Sequence, residues 1–521
     1  MFTLAVMTLS LVDQFHAHPI IFPVTAVFVL WIIRLVVIRI VQERKIQALG
    51  GHAATRYSFP FGLPFVYGAV QAGRTYKDFS YWLKNFNKFG NKSNPYNIEF
   101  RLLSSIRIIQ TADPENIKAI LATQFHDFGK GEKFNEDFHD FLGDSIFTTD
   151  GQRWQESRQL IRPQFIKDRV SDLQTFENHA QILVPLLCPQ PGHTVDAASL
   201  FFRYTLDAAT DFLLGESVDS LRNPTVRFSH AFAEVQRIQS HLGRAGPVKF
   251  MINTKTFHQG LKVMDEFIQP IIERTLRLSP DELEKKGKSD DGYTFLHSLA
   301  NYTRDRTVLR DQLVAVLLAG RDTTACTLSW MFYHLSLQPQ TVAKLRSEIL
   351  NRVGTNTEPT YEDLKSMKYL SATINETLRL YPIVPFNVRM ALKDTTLPRG
   401  GGSDGNQPMG VLKGTPIGYS PLVMQRREDI YPPVSEKFPH HMEFAPERWE
   451  HWTPKAWTYI PFNGGPRICV GQQFALTEIA YTTVRVLQKY SRVECRMEKK
   501  PSEQSEIVLQ PHGGVHVAFF E

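Results

Sequence analysis

Phe462-Asn-Gly-Gly-Pro-Arg-Ile-Cys-Val-Gly471 is the stretch on which the reading of this 521-residue chain turns. Glycines at 464, 465 and 471 and a proline at 466 predict a tight turn. Such a turn can lie beneath a flat cofactor, where side chains would collide. Cys469 then sits just before a helix expected over Gln472 to Lys489, whose buried stripe is Leu476, Ile479, Ala480, Val484 and Leu487. The first amides of that helix, with its dipole, favour the thiolate form that a metal needs. Arg467 adds a cation two residues away. A free cysteine is more often a small buried hydrophobe, and Cys188, Cys326 and Cys495 read that way. The four cysteines are scattered, so no disulfide framework is expected and a reducing compartment fits.

The loop resembles the cysteine loop of the cytochrome P-450 family, Phe-x-x-Gly-x-Arg-x-Cys-x-Gly, with Phe462, Gly465, Arg467, Cys469 and Gly471 in its fixed places. The resemblance implies a mostly α fold with small β-sheets, the prism-like fold of that family. It also implies haem b (iron protoporphyrin IX) as cofactor and Cys469 as the axial ligand of its iron. A thiolate in that place donates electron density and favours cleavage of the dioxygen bond. Phe462 and Arg467 are cofactor-binding residues on the same ground.

Further motifs fall in the family's order. Trp154-Gln-Glu-Ser-Arg158 is similar to its Trp-x-x-x-Arg helix. An indole N–H and a guanidinium one turn apart can both reach a haem propionate. Arg389, in Asn387-Val-Arg-Met-Ala391, looks like another propionate partner. Glu376-Thr-Leu-Arg379 places a charged pair on one helix face. By the resemblance it interlocks with Arg448 of Pro446-Glu-Arg-Trp449 and supports the cysteine loop, a structural role.

Asp311 to Ser336 reads as a long apolar helix interrupted by Ala319-Gly-Arg-Asp-Thr-Thr324. Glycine inside a helix costs about 1 kcal/mol relative to alanine, and a local rule broken in a buried segment often marks function. In the family this segment crosses the oxygen side of the haem. Gly320 would leave room for dioxygen, and a threonine hydroxyl can open local backbone bonding and hold a water. Asp322 and Thr323 would relay protons.

The look of Ala319-Gly-Arg-Asp-Thr-Thr-Ala325, Leu397-Pro-Arg-Gly-Gly-Gly402 and the cysteine loop is that of the fungal alkane- and fatty-acid-hydroxylating branch. One departure is Gln425, where that branch more often has histidine. The expected function is hydroxylation of a C–H bond of a lipophilic substrate, first a fatty acid or alkane at its terminal position. Oxygen and electrons from an NADPH–cytochrome P-450 reductase would drive it. The alternative is oxidation of a polyketide- or terpenoid-like intermediate of a fungal specialised-metabolite pathway. An oxygen-independent haem-thiolate isomerase or dehydratase needs no proton relay, so Asp322 and Thr323 argue against it. Pocket walls are expected from segments near Phe138, Phe232 and Phe386.

Composition agrees: 42% hydrophobic, 21% charged and a net charge of +6, a globular chain with no nucleic-acid signature. Ile20 to Val41 is an apolar run of about 33 Å as a helix, enough for a hydrocarbon core of about 30 Å. Arg34 and Arg39 lie in its carboxyl half and Arg44 and Lys45 follow. Basic residues on that side keep the remainder in the cytosol. The expected division is a single-pass endoplasmic reticulum membrane anchor over 1–45, a proline-containing hinge over 46–65 and a haem-binding catalytic domain over 66–521. Met1 to Val12 is apolar enough for an extra interfacial helix. Strands are expected over Glu99 to Ile109, Thr415 to Ser420 and Val515 to Phe520. Ser279 to Asp291, a polar stretch, reads as a surface loop.

Overall fold

A computed structural model describes residues 21–54, 56–57, 62–102, 106–165, 173–289 and 293–521. Its main helices are α1 (Ile21–Ala48), α2 (Gly151–Ile161), α3 (Ala197–Leu214), α4 (Arg227–Ala245), α5 (Arg306–Leu337), α6 (Lys368–Leu380) and α7 (Gln472–Lys489). The mostly helical architecture with small sheets is thus as expected. α5 runs through the centre and is buried on nearly every side. It begins earlier than the apolar pattern suggests because the Asp305 carboxylate caps it, accepting from the amides of Thr307 and Val308. Packed against it, α3 presents an almost continuous buried surface. Trp330 of α5 stacks on Tyr381 at 4.0 Å, and its indole N–H donates to the Leu509 carbonyl. Helical, sheet and terminal segments are tied to one core this way.

The larger sheet has the spatial order Arg56–Tyr57, Asn97–Leu102, Ile106–Thr111, Pro416–Tyr419, Asn387–Ala391, Phe128–Gly129. The expected first strand is in fact a hairpin, Asn97–Leu102 against Ile106–Thr111, with Phe100 opposite Ile108. Asn387–Ala391 lies antiparallel to Pro416–Tyr419 on one side and to Phe128–Gly129 on the other. The register pairs Phe128 with Ala391 and Gly129 with Met390, and the next residue, Lys130, lies near Arg389. His516–Phe520 pairs with Arg492–Cys495 and Val195–Asp196 in a second sheet.

Two expectations are corrected. Ser279 to Asp291 contains a helix, Pro280–Ser289, not a loop. Ser279 and Glu282 exchange hydrogen bonds at its start, proline occupies the first turn, and Leu283 is buried beneath it. The membrane-spanning anchor is the second. Among the described residues no helix is long and apolar enough to cross a membrane. α1 instead carries exposed apolar side chains from Val24 to Val41, broken by exposed Arg34 and Arg39. Its carboxyl end belongs to the body. Ile46 is buried, and His52 lies between Glu43 of α1 at 2.5 Å and Glu99 at 2.8 Å. Lys45 pairs with Asp394 at 2.9 Å. The expected interfacial helix over Met1 to Val12 and the hinge residues 58–61 lie outside the described residues; Pro64 stands in the first turn of helix Leu63–Arg74.

Candidate active site

The cysteine loop closes on itself, with the Cys469 amide donating to the Phe462 carbonyl at 3.0 Å. Gly465 has φ +67°, and a Cβ there would sit 1.9 Å from the Leu121 carbonyl oxygen. At Gly464 a Cβ would meet the Trp457 ring at 2.6 Å. These two glycines are therefore demanded by the protein packed against the loop, a different reason from clearance for a cofactor. Gly471 caps α7, and its amide is directed at the Cys469 sulfur. Burial pushes the Cys469 thiol up, while the Gly471 amide and Arg158 pull it down. Yet Cys469 is accessible to solvent. A group both accessible and surrounded by protein lines an interior space, and a sulfur so placed can take a metal. Of the other cysteines, Cys326 is buried filler as expected, Cys188 and Cys495 are only half-buried, and all four are free.

Around this loop stands a set of cations. Arg158 of α2 donates to the Ile468 carbonyl at 3.0 Å. Arg467 donates to the Thr149 carbonyl at 2.9 Å and to Asp150 at 2.5 Å. The guanidinium carbons of Arg467 and Arg158 lie 4.6 and 5.8 Å from the Trp154 ring, which joins the two sides. Arg389 is buried, with the Val388 carbonyl as its acceptor and Tyr419 beneath it. Lys130 completes the set.

Burial, then Arg389 and Arg467, hold the Lys130 pKa well below its ordinary value. Arg467 is lowered to about 10, by burial and then by Arg389. Its Nε has no partner. The carboxylate set against these cations is Asp150, which already accepts from the amides of Lys130 and Gly131. Cations in excess, Arg389 among them buried and Arg467 with an unused donor, fit a bound group that carries more than one negative charge. The two propionates of haem are such a group, and the thiol lies within the same residue set.

The third part lies on α5. Between Leu309 and Tyr333 every residue is buried except Ala319, Gly320 and Thr323. These positions share one face, so the helix opens one stripe to an interior space. The Thr323 hydroxyl donates to the Ala319 carbonyl at 2.7 Å, as a threonine that loosens local helix bonding does. A Cβ at Gly320 would meet only Ala209, at 3.8 Å, so protein packing does not require the glycine. Asp322 is buried beside the stripe and pairs with Arg321 at 3.0 Å. Burial raises its pKa, and Arg321 and Gln236 offset this only in part. Two residues on, buried Thr324 lies near Glu478 of α7, a carboxyl raised by burial to about 8.

Beneath the loop, Glu376 and Arg379 of α6 form a bidentate pair at 2.7 and 2.9 Å with no exposed surface. Glu376 also accepts from the Ala445 amide and the Trp449 indole, and Arg448 approaches it at 3.5 Å. Gln425, the departure from the branch pattern, is fully buried. It donates to the carbonyls of Leu378 and Arg379 and accepts from the Ile460 amide, bridging α6 to the chain entering the cysteine loop.

Trp154, Arg158, Arg389, Phe462, Arg467 and Cys469 are therefore gathered around the loop, with Gly320, Asp322 and Thr323 on α5. Lys130 was absent from the sequence reading; the signal that could have found it is a cation between glycines in Phe128-Gly-Lys-Gly131. Of the expected wall residues, Phe138 stacks on Phe134, Phe386 on Trp82, and Phe232 is buried beside Arg321.

The cytochrome P-450 family profile matches residues 59–518. The chain is 49% identical over 514 residues to cytochrome P-450 monooxygenase pvhE of Talaromyces variabilis, covering 95% of this chain and 94% of that one. It is 41% identical over 490 residues to cytochrome P-450 52A1 of Candida tropicalis, covering 89% and 87%. A crystal structure of a cytochrome P-450 haem domain superposes with a TM-score of 0.69 at 20% identity, over 85% of this chain and 92% of that one, a likeness of fold.

Proposed function

Because the chain belongs to the cytochrome P-450 family, whose haem-dependent monooxygenase chemistry it shares, we propose that it hydroxylates a lipophilic acyl or alkyl chain at its terminal position. A long-chain fatty acid or alkane is the first substrate. Bound in the site, haem supplies the oxygen activation. The rest is the work of the chain's own residues. Cys469 would hold the haem iron through its thiolate, and Lys130, Trp154, Arg158, Arg389 and Arg467 would hold the propionates. Asp322 and Thr323 pass protons along the accessible stripe of α5. Asp322 suits that task because burial brings its pKa closer to the working pH. Two electrons come from an NADPH–cytochrome P-450 reductase.

The observation that carries this reading is the α5 stripe: Ala319, Gly320 and Thr323 alone have accessible surface on a buried run, with a buried acid beside them. An isomerase or dehydratase has no use for it. The fatty-acid reading is supported by identity to the 52A1 relative and by the branch-like motifs. A second reading, oxidation of a polyketide- or terpenoid-like intermediate, is favoured by the higher identity, 49%, to a monooxygenase outside the 52A set.

The exposed apolar face of α1 supports a seat in the endoplasmic reticulum membrane with the body on the cytosolic side. In this reading residues 1–45 meet lipid, 46–65 connect and 66–521 form the catalytic domain.

The test is turnover of long-chain fatty acids and alkanes by the purified protein with reductase, NADPH and ¹⁸O2. A terminally hydroxylated product carrying one labelled oxygen is expected. Product at full rate without oxygen would overturn the monooxygenase reading; turnover confined to polycyclic substrates would favour the second.

A further inference from the structure

Arg321 and Asp322 are neighbours in α5, and residues i and i+1 of a helix point in different directions. Here they nevertheless form a buried ion pair at 3.0 Å. What turns the arginine is aromatic: its guanidinium carbon lies 5.2 Å from the ring centre of Phe202 on α3 and 5.3 Å from that of Phe232 on α4. Its Nε has no partner; its Nη1 donates to Asp322 at 3.0 Å, and the two rings hold the rest of the group. One turn after Phe232 on α4, the Gln236 amide also faces the Asp322 carboxylate, and its Nε2 completes no hydrogen bond.

We propose that Arg321 is a positioning residue that holds the Asp322 carboxylate toward α3 and α4, and that α4 governs this hold through Phe232 and Gln236. The inference rests on the proton-relay reading of Asp322 and assigns it a control. An acid that relays a proton along the stripe must turn between orientations. The ion pair stabilises one of them and favours the charged form. Anything that moves α4 shifts Phe232 and loosens the arginine, so a substrate pressing on α4 alters proton delivery without touching Asp322. The other ionisable groups that act on this region are Glu506, and Cys326 one turn further along α5. Glu506 opposes the charged form and Cys326 is a buried thiol, so Arg321 is the cation that favours ionised Asp322. From α3 the contacts are Phe202 and Ala209, both uncharged.

The test is the carbonyl stretch of protonated Asp322 followed by infrared difference spectroscopy against pH in the haem-loaded full chain, with Asp322→Asn identifying the band. Arg321→Met is expected to move the midpoint upward by at least about one pH unit, tenfold in proton concentration. Arg321→Lys restores most of the shift, and Phe232→Leu moves it in the same direction as Arg321→Met. An unchanged midpoint in Arg321→Met overturns the proposal. If that variant does not retain haem, an unchanged midpoint in Phe232→Leu overturns it instead. Failure of the relay reading is separately visible: Asp322→Asn would then hydroxylate at the wild-type rate, whatever Arg321 does to the midpoint.

Discussion

Lys130, the residue after the short ladder that joins Phe128–Gly129 to Asn387–Ala391, lies close enough to Arg389 for the two cations to repel. Like charges brought together away from water disfavour each other's charged forms, and here both belong to a set that includes Arg467. The arrangement is reasonable only if an anion is held between them. Lys130→Met is therefore expected to raise the melting temperature of the haem-free protein while speeding haem loss. One charge-assisted hydrogen bond contributes about 1.5–3 kcal/mol, so haem should dissociate about tenfold faster or more. Transfer of haem to an apo-globin acceptor measures it. Equal transfer rates in variant and wild type would remove Lys130 from the propionate site.

Glu376 is the hub beneath the cysteine loop, accepting from Arg379, Ala445 and Trp449 with Arg448 close by. Glu376→Gln leaves two buried guanidinium groups without a carboxylate. Breaking a buried pair from one side costs about 3–5 kcal/mol. The temperature at which half the protein loses its reduced carbon monoxide band should fall by several degrees. A variant as heat-resistant as wild type would show that the hub is dispensable.

Glu478 has a folded-state pKa of about 8 because burial penalises its charge. The unfolded chain releases this proton near its ordinary value of 4.5. Between these values the folded state binds the extra proton, so stability falls as pH rises, and the loss levels off above about 8. Glu478→Gln removes that slope and is expected to be the more stable protein at alkaline pH. Melting temperatures from pH 5 to pH 9, scanned for both proteins, decide it (the range being about that over which carboxyl and buried acid separate). Parallel curves would mean that Glu478 titrates normally.

The sequence exposed the cysteine loop because five fixed positions must coincide there, each with a separate job. Trp154, Arg389 and the Glu376 pair were legible only through resemblance, since no local property singles them out. Lys130 was missed because its meaning comes from its nearness to Arg389, which is distant along the chain and close only in the fold. The reason for Gly464 and Gly465 was misread for a like cause: the groups that exclude a Cβ are Trp457 and Leu121, which local spacing does not bring to notice. The helix Pro280–Ser289 was overlooked because its polar outer face masked a start signal in Ser279, Pro280 and Glu282. In α1 the apolar run was plain. That its end is pinned by His52 between Glu43 and Glu99 was not, because Glu99 comes from a strand.

The most direct measurement is the carbon monoxide difference spectrum of the reduced protein, wild type beside Cys469→Ala, with Cys326→Ala as the buried-thiol control. The account predicts a Soret band at the thiolate-ligated position in wild type and control, and its loss in Cys469→Ala. A band at the histidine-like position in active wild-type protein would contradict it, for Cys469 would then not be the ligand.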